Sequence, residues 1–241
     1  IKALVKVDAD WIPQKEGTSL YIRPFIFADE ACLGVRRSSS YKFMIILSPV
    51  GPYYEGGLAP TKLYVEDVYV RAAAGGTGEA KCGGNYAGSL KAQEIAHQQG
   101  FEQILWLDGN EKKYVEEIGT SNAFFMLGDE IVTAPLDGTI LPGITRNSVI
   151  QLLKKKGYNI VERRLTIDEI VEAYKKGEFK EMFASGTAAV ISPVGELKYK
   201  DTDMIINNGE IGPVAQEMYD TIYGIQTGKI ADDMGWTVEV K

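Results

Sequence analysis

Residues 103–133, QILWLDGNEKKYVEEIGTSNAFFMLGDEIVT, decide the fold class. Gln103 to Leu107 is a short apolar run that ends in the turn tripeptide Asp108-Gly109-Asn110, and Tyr114 to Ile118 reads as its return strand. Ala123 to Leu127 and Glu130 to Thr133 flank Gly128-Asp129, a second hairpin signal. Outward from this strand-rich block the pattern changes to helices. Thr166-Ile167-Asp168-Glu169 has capping-box spacing and opens a helix to about Lys176. Gly212-Pro213 opens a late helix, because proline is tolerated in a first turn. Val149, Ile150, Leu152 and Leu153 run into Lys154-Lys155-Lys156 and Gly157, the end of another helix, where positive charge suits the macrodipole. A helix over Gly88 to Gln99 is stopped by Gly100. Alternating strands and helices predict a mixed α and β domain.

Upstream, Leu4 to Val7, Leu20 to Phe27 and Lys42 to Leu47 are β-like runs that form part of a sheet. The stretch 48–57, SPVGPYYEGG, mixes proline, glycine and aromatics, which suits a shaped connection between domains that also contacts a ligand. The domain boundary is placed there.

The chain has 241 residues, 45% hydrophobic and 24% charged, with no apolar run of the eighteen or so residues a membrane span needs. A net charge of -7, with Lys154 to Lys156 as the longest basic run, disfavours nucleic acid and anionic membrane as partners. Cys32 and Cys82 show neither metal-ligand nor disulfide spacing, which fits a reducing, cytoplasmic setting. The single histidine, His97, excludes a multi-histidine metal site, and no metal is expected. The chain starts at Ile1, with no initiator methionine and no signal-peptide pattern, and reads as truncated.

In residues 75–90, GGTGEAKCGGNYAGSL, six glycines surround Lys81 just before a helical pattern. Glycines permit close backbone approach to a ligand, and a lysine in such a segment can serve as a nucleophile once its amine is neutral. A flexible surface loop with a solvated lysine has the same composition. The residues by themselves leave both open.

Lys81-Cys82-Gly83-Gly84-Asn85-Tyr86 resembles the cofactor-lysine motif of branched-chain amino acid aminotransferases, enzymes of the fold type IV pyridoxal-phosphate class. Six other segments resemble the same family in the same order. They are Leu20-Tyr21-Ile22-Arg23-Pro24, Ser48-Pro49-Val50-Gly51, Tyr69-Val70-Arg71-Ala72, Glu117-Ile118-Gly119-Thr120, Leu141-Pro142-Gly143-Ile144-Thr145-Arg146 and Ser185-Gly186-Thr187-Ala188. The resemblance implies a two-domain architecture: 1–50 as the remnant of a small α/β domain, 51–62 as the connection, and 63–241 as a large cofactor-binding domain with a barrel-like sheet.

It also implies roles. Lys81 would hold pyridoxal 5'-phosphate as a Schiff base and, once released, shuttle the proton between Cα and the cofactor. Tyr86 would hydrogen-bond the phenolic oxygen, and Glu117 would face the pyridine nitrogen and keep it protonated. Glu116 would point the other way into solvent. Ile144, Thr145 and Thr187 would bind the phosphate through helix and loop N–H groups and a hydroxyl, with Arg71 near it; a surface salt bridge is the alternative for Arg71. For substrate, Tyr21 and Arg23 would reach the partner's site across a homodimer interface, Arg23 as a carboxylate fork. Tyr53, or Tyr54 beside it, would line the side-chain pocket, and Ala188 and Ala189 would admit the substrate carboxylate to the backbone. Ala189 and Ser192 stand where mammalian members carry a Cys-x-x-Cys pair, so no thiol switch is expected. The implied reaction exchanges an amino group between leucine, isoleucine or valine and 2-oxoglutarate. The alternatives are a D-amino acid aminotransferase, an aminodeoxychorismate lyase, or a folded fragment without activity.

Overall fold

The computed structural model describes residues 1–53 and 57–241, so Tyr54 lies outside the described residues, with Glu55 and Gly56. The chain divides into two compact units, Ile1–Glu55 with Asp233–Lys241, and Gly56–Asp232.

In the first unit, β1 (Ser19–Ala28) and β2 (Tyr41–Val50) form an antiparallel ribbon with Tyr21 opposite Ser48 and Arg23 opposite Ile46. Tyr21 and Arg23 are two residues apart and therefore share a face; the Arg23 guanidinium stacks 4.8 Å from the Tyr21 ring centroid. The strand expected over Leu4 to Val7 is instead a short helix, α1 (Lys2–Val7), with no buried residue. Val5-Lys6-Val7 alternates like a strand, but Ala3, Leu4 and the lysines are good helix formers.

The second unit is built on a nine-stranded sheet. Its strands are β3 (Thr61–Glu66), β4 (Gln103–Leu107), β5 (Val115–Ile118), β6 (Ser121–Leu127), β7 (Glu130–Thr133), β8 (Asn159–Glu162), β9 (Phe179–Gly186), β10 (Val190–Tyr199) and β11 (Thr202–Ile205). The pairings β10–β3, β3–β4, β4–β5, β5–β6, β6–β9 and β9–β10 return to their starting strand, so six strands close into a barrel. Closure leaves these six strands without an open end, and β8 and β11 lie outside it, paired to β7 and β10. β4 shows why its sequence is apolar without interruption: Leu105 and Leu107 enter one core cluster, whereas Ile104 and Trp106 enter another on the opposite face. There they pack with Ala92 and Ala96 of α2 (Gly83–Gln98). A strand buried on both faces has no polar side to alternate with. Phe124 and Phe183 stack across β6 and β9 at 5.0 Å between centroids.

Three further helices complete the unit: α3 (Ile144–Lys155), α4 (Ile167–Lys175) and α5 (Pro213–Gln226). The capping box is present at α4: Thr166 accepts from the Glu169 N–H, and the Glu169 carboxylate accepts from the Thr166 N–H. Helix α2 starts at Gly83, earlier than the Gly88 read from sequence. The misread turn carries Gly83 and Gly84, whose low helix propensity conceals it. Among the described residues no helix is long and apolar enough to cross a membrane, and no cluster of His, Cys, Asp and Glu could hold a metal ion.

Candidate active site

β5 and β6 are joined by Gly119 and Thr120, with Gly119 at φ +53°, a left-handed conformation that glycine takes without penalty. Trp106 Nε1 donates to the Gly119 carbonyl at 3.0 Å and ties this turn to β4. Its position brings Glu117 on β5 opposite Asn122 on β6.

Glu117 is 1% exposed. Its Oε2 lies 2.7 Å from Arg71 Nε, and Oε1 accepts from the Leu141 N–H at 2.8 Å and from Asn122 Nδ2 at 3.2 Å. Burial pushes the Glu117 carboxyl up to about 7; Arg71, the Leu141 N–H and Lys81 pull it down, and Glu116 pushes it further up. Arg71 is not a surface residue. Its Nη1 donates to the Thr139 carbonyl at 2.8 Å and its Nη2 to the Gly78 carbonyl at 3.2 Å, so three guanidinium nitrogens are committed within the protein. Glu116, expected in solvent, is 6% exposed, and burial raises its carboxyl above the ordinary range. Both faces of β5 are covered, so strand alternation separates the two glutamates without exposing either.

Lys81 sits just before α2, exposed, with its Nζ donating to Tyr86 Oη at 3.1 Å. The glycine-rich segment before it is stapled rather than loose. Asn85 Nδ2 donates to the carbonyls of Thr77 and Ala80 at 2.7 and 2.9 Å, and Thr77 Oγ1 donates to Asn85 Oδ1 at 2.7 Å. Arg71, Tyr86, Gly119, Thr120 and Leu141 line one cleft.

At its edge, α3 begins after Gly143 with no side chain capping its first turn, and Ile144 is 79% exposed while Thr145 is half-buried. Free N–H groups at a helix start attract an anion. Thr187, Ala188 and Ala189 form the turn between β9 and β10, with Thr187 and Ala188 exposed and Ala189 half-buried. Gly186 leads into it so close to Ser121 that a Cβ would meet Ser121 Oγ at 2.9 Å. Val190 ends the turn at φ +61°, a strained conformation for a β-branched residue and one that clusters at ligand-binding turns.

These groups fit pyridoxal phosphate. A lysine and a tyrosine stand together at one side of the cleft, an uncapped helix start offers an anion site, and Glu117 holds a carboxyl that one guanidinium leaves near 7. A protonated ring nitrogen beside it would favour its charged form. Tyr21, Arg23 and Tyr53 belong to the other unit, where Tyr21 is half-buried and Arg23 and Tyr53 are exposed. Sequence reasoning passed over Asn122, Asn85 and Val190. The hairpin partner of Glu117 was available as a signal for Asn122; nothing in the sequence marked Val190.

The family model for class IV amino-transferases matches residues 3–197. The chain belongs to the class IV aminotransferases. Within them it is 60% identical over its whole length to branched-chain-amino-acid aminotransferase 2 of Bacillus subtilis (strain 168), of which it spans 66%. Among solved structures it resembles the branched-chain amino acid aminotransferase of Escherichia coli, at TM-score 0.78 and 30% identity, covering 92% of this chain and 71% of that one. A branched-chain amino acid aminotransferase from T.th., solved with pyridoxamine 5'-phosphate, matches at TM-score 0.82 and 29% identity, covering 100% and 74%. The expected mixed α and β, fold type IV architecture with a barrel-like sheet is borne out by these neighbours and by the six-strand closure.

Proposed function

We propose that the enzyme carrying this chain is a pyridoxal-phosphate-dependent aminotransferase that exchanges the amino group between branched-chain L-amino acids and 2-oxoglutarate. The observation that carries this reading is a single cleft joining Tyr86 and Arg71, with Lys81 on Tyr86 and Glu117 on Arg71, in a chain 60% identical to a branched-chain aminotransferase.

When bound, pyridoxal phosphate supplies an aldehyde that captures amines and a ring that takes up the electron pair released at Cα. Lys81 would hold the cofactor and, once free, would carry the proton at the substrate Cα; its exposure and its 3.1 Å bond to Tyr86 suit a group that must swing between two partners. Tyr86 would orient the phenolic oxygen. Glu117 would face the ring nitrogen and favour a proton on it, and Arg71 pulls Glu117 toward its charged form. The first-turn N–H groups of Ile144 and Thr145, with the Thr187 hydroxyl, would bind the phosphate. Ala188 and Ala189 would leave backbone open to the substrate carboxylate, Tyr21 and Arg23 would serve the partner's site in a homodimer, and Tyr53 would contact the substrate side chain. Small-molecule amino and oxo acids are the partners, in the cytoplasm.

A second reading has this chain folding without turnover by itself. The apolar side chains exposed on β1 and β2, among them Ile26 at 65% and Phe43 at 64%, favour it. A panel of amino donors with 2-oxoglutarate tests the first reading, and it fails if leucine, isoleucine and valine are all inert in the intact protein. Turnover by the intact protein but not by this chain supports the second.

A further inference from the structure

Glu117 lies on a strand and the phosphate-binding N–H groups lie at the start of a helix, yet one side chain grips both. Asn122 faces Glu117 across the β5–β6 hairpin and is 4% exposed. Its Nδ2 donates to Glu117 Oε1 at 3.2 Å and to the Leu141 carbonyl at 2.8 Å. Leu141 returns its own N–H to the same Oε1 at 2.8 Å, which closes a ring of hydrogen bonds. The Leu141 carbonyl also accepts from the Gly143 N–H at 2.8 Å, and Gly143 is the N-cap of α3. Sterics add a second link: a Cβ on Gly143 would fall on Asn122 Oδ1. Gly143 has φ -65°, which any residue adopts, so closeness to Asn122 and not backbone conformation explains a glycine there.

We infer that Asn122 is a positioning residue that fixes the spacing between Glu117 and the N-terminus of α3, so that a ligand bridging the two is held by both ends at once. This rests on the reading of the cleft as a pyridoxal phosphate site. The cofactor is a rigid ring with a short phosphate arm, and two fixed contacts on a rigid ligand reinforce each other only while their spacing is held. Loosening the spacing weakens the bridging ligand more than a ligand that uses one end alone.

The test titrates the cofactor-free protein and its Asn122→Ala variant with pyridoxal phosphate, pyridoxal and inorganic phosphate, and follows the visible absorption of the bound cofactor against pH. Loss of a hydrogen bond to a charged group predicts a dissociation constant for pyridoxal phosphate raised about tenfold. Pyridoxal and phosphate should each move by less than about threefold, since each uses one contact. The pH midpoint attributable to Glu117 should rise, because its carboxylate loses a donor. Gly143→Ala, which displaces Asn122 without removing its amide, should act in the same direction and less than additively with Asn122→Ala; it carries the comparison if Asn122→Ala fails to fold. Equal weakening of all three ligands, or no change in the affinities and the pH midpoint, overturns the inference and leaves the cofactor reading standing. A parent protein that binds no pyridoxal phosphate overturns both.

Discussion

Glu117 and Lys81 each touch a residue that lines one cleft, Arg71 and Tyr86 respectively, under opposite conditions. Glu117 is 1% exposed, with both carboxylate oxygens engaged by Arg71, Leu141 and Asn122. Lys81 is exposed, and its amine meets a tyrosine at the edge of a helix. The buried side fixes geometry and pays for it in desolvation; on the proposed function, the exposed side keeps a nucleophile available for bond formation. Replacements on the exposed side should therefore change chemistry and spare the fold, whereas those on the buried side should change both.

The sharpest way to break this contrast is Lys81→Ala. Turnover of the intact enzyme should fall by roughly a thousandfold or more while the thermal midpoint of the cofactor-free protein stays put; retained turnover, or a collapsed midpoint, would remove the distinction. Arg71→Ala attacks the other side. At a pH well above 7, where Glu117 is ionised, it leaves a buried carboxylate without its cation and should cost about 3–5 kcal/mol in urea unfolding, along with cofactor affinity; a loss under about 1 kcal/mol there would mean the pair is not held in a desolvated setting.

The pH dependence sharpens the buried side further. Burial lifts Glu117 from 4.5 to about 7, so the folded protein binds this proton more tightly than the unfolded chain does. Its stabilising contribution is complete below 4.5, shrinks as pH rises, and is gone above about 7. Glu116 and Glu181 are also raised by burial and act in the same direction. In the cofactor-free protein, Glu117→Gln should flatten the fall in stability between 4.5 and about 7, read as the difference between the two unfolding profiles. The smallest effect is expected far from the cleft. Thr166→Ala removes the α4 capping box and should cost about 1 kcal/mol without altering cofactor affinity.

Local features were legible in the sequence because local chemistry sets them. The Gly128-Asp129 hairpin, the Thr166 capping box and the Gly212-Pro213 helix start all stand where turn and cap residues place them. Barrel closure was not legible, since Phe124 on β6 pairs with Phe183 on β9 through contacts that no short window contains. The same limit applies to the site. Lys81 and Tyr86 are near neighbours along the chain and could be proposed together from one motif, whereas the Arg71–Glu117 pair exists only once β5 is laid in the sheet. Glu116 was misjudged because alternation reports which face a residue occupies, not whether that face is covered.

The most direct test of the central claim is chemical. The protein is loaded with pyridoxal phosphate, reduced with borohydride, digested and mapped by mass spectrometry. The predicted result is the phosphopyridoxyl group on the peptide carrying Lys81, with labelling abolished in Lys81→Ala; a group fixed on any other lysine would contradict it.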